Sequence, residues 1–108
     1  MTPGHAAQER YKAAHPERVK DQALRRTYGI SFEQYNEMLD AQGGVCAICQ
    51  SPETKTRKGT VLALSVDHDH ATGRVRALLC CACNRTLGLH DDDPEVFDRM
   101  AEYLRRFD

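Results

Sequence analysis

The sequence predicts a small α+β domain stapled by a metal, with flanking helices, and three observations lead there. Two Cys-x-x-Cys pairs, Cys46/Cys49 and Cys80/Cys83, bracket a single strand–turn–strand stretch. Helical periodicity lies on both sides of that stretch. At 108 residues the chain is one domain whose modest core calls for an extra staple. Residues 1–29 read as a basic helical N-terminal extension, and residues 30–108 as the stapled domain with a C-terminal helix.

Taken in order, the stretch through Ala14 is polar and alanine-rich, the mark of a frayed or solvated helix. Pro16 suits the first turn of a helix running to about Tyr28, with Val19, Ala23, Leu24 and Thr27 facing inward and Gly29 as its left-handed stop. Ser31 to Gln34 forms a capping box. The helix it opens carries Phe32, Tyr35, Met38 and Leu39 on one face and ends at Gly43-Gly44. Val45 to Gln50 is a tight cysteine knuckle, and Ser51 to Thr60, charged and without apolar residues, reads as a surface loop. Val61–Val66 and Arg74–Leu79 read as strands joined by a short turn containing Gly73. A helix from Cys80 to about Leu89 follows, with Gly88 allowing its end. Asp93-Pro94 then caps a last helix to Phe107, with Phe97, Met100, Ala101, Leu104 and Phe107 at helical spacing.

The formal net charge of -1 conceals a gradient. Arg10, Lys12, Arg18, Lys20, Arg25 and Arg26 outweigh Glu9, Glu17 and Asp21 before Gly29; Lys55, Arg57, Lys58, Arg74, Arg76 and Arg85 outweigh Glu53, Asp67 and Asp69 between Val45 and His90. An acidic tail reverses the balance after His90. The basic body suits a phosphate-bearing partner, and a solvated helical face gives the same gradient. Met1 to His5 leads into no apolar signal segment, and no stretch reaches membrane-spanning length. The expectation is therefore a soluble intracellular protein with no membrane partner, where paired cysteines mean metal more often than disulfides.

Two knuckles of equal spacing can complete the closed tetrahedral set of a structural zinc, with Cys46, Cys49, Cys80 and Cys83 as ligands. Two disulfides, or a redox pair, would not explain why both knuckles flank one hairpin. Cys81 is left over, since only Cys80 keeps the spacing to Cys83; it reads as a small bystander.

The frame leaves Asp67, His68, Asp69, His70 and Asn84 unexplained. Asp67 and His68 fall at the end of the first strand with side chains on opposite faces. A carboxylate from Asp67 and an amide oxygen from Asn84 would suit Mg²⁺, which keeps room for waters and a phosphate oxygen. A neighbouring imidazole could then take a proton from water. Two other readings stand beside this one: a solvated or structural Asp-His pair, and Zn²⁺ held by His68 and His70.

The string LSVDHDHATGRVRALLCCACNRTLG, with CAIC upstream and DDDPEVF…YL downstream, resembles the phage recombination endonuclease VII family. Those proteins are His-Me finger (ββα-metal, HNH-like) nucleases, and the resemblance runs from about Tyr28 to Leu104. It implies a zinc-stapled ββα-metal nuclease domain hydrolysing phosphodiester bonds of DNA with Mg²⁺ or Mn²⁺, in the cytoplasm of a host cell if phage-encoded. By the same resemblance Cys46, Cys49, Cys80 and Cys83 match the structural zinc ligands, and Asp67 and Asn84 the ligands of the catalytic divalent ion. His68 matches the general base, His70 a supporting active-site histidine, and Arg76 a recurrent hairpin arginine that serves either phosphate or scaffold. Arg74, Arg76, Arg85 and the basic helix with Arg25 and Arg26 are the expected DNA contacts. The family's junction-resolving member carries an acidic residue shortly after the asparagine and forms an intertwined dimer; here Arg85, Thr86 and Leu87 follow Asn84. The hydrolytic centre is thus implied, while nicking or double-strand cutting, branched or unbranched DNA, and monomer or homodimer all stay open. The rival class is a non-catalytic zinc module that binds nucleic acid or protein. A redox or zinc-storage protein is a further rival.

Overall fold

The computed structural model describes residues 16–107. Among them lie four helices and two small sheets, an α+β arrangement as expected: α1 (Pro16–Tyr28), α2 (Phe32–Ala41), β1 (Thr56–Arg57), β2 (Thr60–Val61), β3 (Ser65–His68), β4 (Val75–Leu79), α3 (Cys81–Leu89) and α4 (Pro94–Arg105). The helix expected through Ala14 lies outside the described residues. The chain divides into two units, one running through Gly44 and including Val66–Leu78, the other comprising Val45–Ser65 and the chain from Leu79 onward.

In the first unit, α1 ends where Gly29 takes φ +75° and its N–H donates to the carbonyls of Leu24 and Arg25. Val19 and Leu24 are half-buried, but Ala23 and Thr27 are exposed, because Asp21 and Tyr28 take the inward positions expected of them. Asp21 accepts the Phe32 N–H at 2.8 Å and so ties α1 to the start of α2. The expected capping box is formed: Ser31 Oγ accepts the Gln34 N–H at 3.0 Å, and Gln34 Oε1 accepts the Ser31 N–H at 2.8 Å. Tyr35 is buried and Phe32, Met38 and Leu39 half-buried, the expected face. Just past α2, the Gln42 side-chain amide exchanges two 2.9 Å hydrogen bonds with the backbone N–H and C=O of Leu78. It acts as a substitute strand residue along β4.

β3 and β4 pair as a hairpin. Its first strand begins at Ser65 and not at Val61, the expected start. Asp69 governs the reversal: its Oδ1 accepts from Ala71 at 2.8 Å and Thr72 at 3.3 Å, and its backbone N–H donates to the Arg74 carbonyl. Gly73 supplies the positive φ the turn needs.

In the second unit, the stretch read as a plain loop contains a short ribbon, β1 against β2, with Thr56 opposite Val61 and Arg57 opposite Thr60. Lys58 and Gly59 both sit at positive φ, the requirement of a tight primed turn. Val61 belongs to this ribbon and is exposed. The unit's interior is Cys46, Leu64, Leu79 and Cys80. Cys80 is the N-cap of α3, which continues through Gly88 to Leu89; the left-handed residues that follow are Asp91 and Asp92, not the glycine. Asp93 caps α4 through the Glu95 N–H, with Pro94 in the first turn. α4 ends at Arg105, short of the expected Phe107; Met100 and Leu104 on its apolar stripe are exposed, as is Phe107 beyond its end.

Candidate active site and metal centre

The sulfurs of Cys46, Cys49, Cys80 and Cys83 all lie within 4.8 Å of one another. Cys49 Sγ and Cys80 Sγ are 3.8 Å apart, about the edge of a tetrahedron with metal–sulfur bonds of ~2.3 Å. Each knuckle folds onto its first sulfur: the Ile48 N–H donates to Cys46 Sγ and the Cys83 N–H to Cys80 Sγ, both at 3.4 Å. Burial opposes ionisation of Cys46, yet the N–H groups of Cys80, Cys49 and Ile48 outweigh it and hold the thiol at about 6. Cys83 is pushed up to about 12 by burial and by its three sulfur neighbours. Four soft donors at tetrahedral separations fit a thiophilic dication. Cys81 stands outside the cluster: its N–H donates to Glu53 Oε2 at 2.6 Å, and Lys55 Nζ lies 3.6 Å from its sulfur.

The acid–histidine pairs occupy the other unit. Asp67, one residue from the end of β3, is buried to 7 % exposure. Arg76 holds it from β4 as a fork, Nε to Oδ2 at 2.7 Å and Nη2 to Oδ1 at 3.0 Å. His68 is half-buried, its ring centroid 4.7 Å from that of His70 and 5.7 Å from that of Tyr28. Tyr28, the last residue of α1, was not among the expected site residues; its signal was only its place beside the Gly29 stop. Asn84 sits in the first turn of α3, in the cysteine unit, half-buried, its N–H donating to the Cys80 carbonyl. Among the described residues the four cysteines are the set of three or more candidate ligands whose donor atoms converge, and His68 and His70 belong to no such set.

Of the arginines expected to meet DNA, Arg76 is engaged by Asp67 and Arg25 by Asp21, the latter at 2.8 Å. Arg26, Arg74 and Arg85 are exposed, and among the described residues none is in an ion pair. No described helix is long and apolar enough to cross a membrane.

A four-sulfur centre in one unit and an acid–histidine hairpin in the other define a small metal-binding α+β domain. The family model described as recombination endonuclease VII matches residues 21–106, and the chain belongs to that family. It is 42% identical over 97 residues to the Gene 59 protein of Mycobacterium phage D29, covering 89% of this chain and 56% of that protein. It is 49% identical over 79 residues to the Gene 59 protein of Mycobacterium phage L5, covering 72% of this chain and 45% of that protein. The chain thus spans about half the length of these relatives.

Proposed function

We propose that this chain is a metal-dependent DNA endonuclease that hydrolyses phosphodiester bonds. The observation that carries the reading is the hairpin end, where a buried Asp67 adjoins His68 and the His68 and His70 rings stand 4.7 Å apart, in a chain of the endonuclease VII family. His68 is the general base: its imidazole takes a proton from the water that attacks phosphorus. His70 supports the His68 ring and meets the phosphate. The Asp67 carboxylate is a hard oxygen donor suited to Mg²⁺ or Mn²⁺, as is the Asn84 amide oxygen, and such an ion, when bound, would stabilise the charge on the phosphoryl and leaving oxygens. Arg74, Arg85, Arg26 and Arg25 bind backbone phosphate, a reading supported by their exposure. The cysteine cluster holds Zn²⁺ and has no chemical step. A phage enzyme of this kind would work in the cytoplasm of its host.

A second reading, a non-catalytic zinc module that binds nucleic acid or protein, draws on the fork itself: a buried carboxylate satisfied on both oxygens by Arg76 is also what a purely structural pair looks like. Supercoiled-plasmid nicking separates the two. The endonuclease reading expects nicking that requires Mg²⁺ or Mn²⁺ and falls by ~100-fold or more in His68→Ala. Undiminished nicking by a folded, zinc-loaded His68→Ala protein would remove His68 as the base. Absence of nicking in the parent protein, with DNA affinity retained, would favour the binding module.

A further inference from the structure

The Arg76 fork and the proposed cation at Asp67 compete for the same two oxygens. A carboxylate offers about four lone-pair sites; Arg76 takes one on each oxygen, so a cation using the remaining two must sit beside the guanidinium's positive charge. The two partners differ in freedom: the Asp67 side chain is 10% exposed and fixed within the hairpin, whereas that of Arg76 is 36% exposed. Arg76 can therefore leave and Asp67 cannot follow. The planar fork that grips a carboxylate grips a phosphate equally well.

We propose that Arg76 is a positioning residue that guards Asp67: its guanidinium occupies the carboxylate in the free protein and transfers to a backbone phosphate when DNA arrives, so that divalent-cation binding and DNA binding are coupled. This rests on the reading of Asp67 as a cation ligand given above. In the free protein the guanidinium both neutralises Asp67 and repels an approaching dication. With DNA present, the phosphate receives the guanidinium, the carboxylate is left without its counter-charge and with its lone pairs open, and the cation can enter. Linkage makes the effect reciprocal, the cation tightening DNA binding by the same factor. The arrangement would keep a loaded metal site from forming away from substrate.

The test is Mn²⁺ binding by the 108-residue chain, read by electron paramagnetic resonance with and without a short duplex oligonucleotide. A His68→Ala background prevents cleavage. With Arg76 present, DNA is expected to tighten Mn²⁺ binding by ~10-fold. Arg76→Gln should bind Mn²⁺ more tightly without DNA, with the DNA effect reduced to about one. Arg76→Lys keeps the charge but loses the fork, and should fall between the two; it serves if the glutamine variant does not fold. Asp67→Asn, measured alongside, subtracts ions held by the DNA itself. Mn²⁺ binding that depends on Asp67 but is the same for arginine, lysine and glutamine at position 76 overturns this inference alone. Binding that is indifferent to Asp67→Asn overturns the ligand reading and this inference with it.

Discussion

The side-chain amide of Gln42 satisfies both backbone polar groups of Leu78, each at 2.9 Å, across 36 positions of sequence. Leu78 is fully buried, so water is a poor replacement for either bond. Gln42→Ala should lower stability by ~2–6 kcal/mol, the sum expected for two stranded backbone groups. Gln42→Glu, which keeps an acceptor and loses the donor, should do no better. Urea denaturation of the zinc-loaded variants measures both.

Zinc should be held by four of the five cysteines only. Cys46→Ser removes a fully buried ligand, and because metal binding at such a site contributes ~10 kcal/mol or more to folding, the variant should be unfolded and metal-free. Cys81→Ser should fold and carry one zinc per chain. Elemental analysis with circular dichroism distinguishes them, and zinc retained by Cys46→Ser would refute the assigned ligand set.

The hairpin turn should loosen in acid. The N–H groups of Ala71 and then Thr72 hold the Asp69 carboxyl below its ordinary 3.8. A depressed folded value means that its contribution is present above the unfolded value and is lost as pH falls through the lower, folded one. Protection of the Ala71 and Thr72 amides, relative to their intrinsic exchange rates, should fall below about pH 4 in the parent protein. Asp69→Asn keeps the accepting oxygen without the titration, and its turn should show no such change.

DNA affinity should fall with salt, and the slope should identify the arginines in contact. Each lost phosphate contact flattens the log–log slope by ~0.9. Arg74→Ala and Arg85→Ala should each do so. Arg25→Ala should do so as well if its guanidinium leaves the exposed pair with Asp21, and an unchanged slope would remove it from the contact set. Fluorescence anisotropy across a sodium chloride series reads the difference.

What the sequence announced was local. Ser31 with Gln34, Asp93 with Pro94, and the paired cysteines all act within a few residues, where side chain and backbone meet by spacing alone. What it withheld depends on distant partners. Nothing near Gln42 points to Leu78, nothing near Arg76 decides between phosphate and Asp67, and Tyr28 meets His68 only after the hairpin has formed. The β1–β2 ribbon escaped notice because Lys58-Gly59 lacks the Asn-Gly or Asp-Gly signature of its turn. On α4 the period is legible and the burial is not, since periodicity reports that a helix has an apolar side and is silent on whether anything covers it.

Leu78 and Leu79 are consecutive, point to opposite sides of β4, and are each sealed from water, one within either unit. A single codon inserted between them would invert every side chain on one side of the insertion. Evolution can lengthen or shorten the exposed loop around Lys58-Gly59, but at this dipeptide an insertion or deletion should cost the fold.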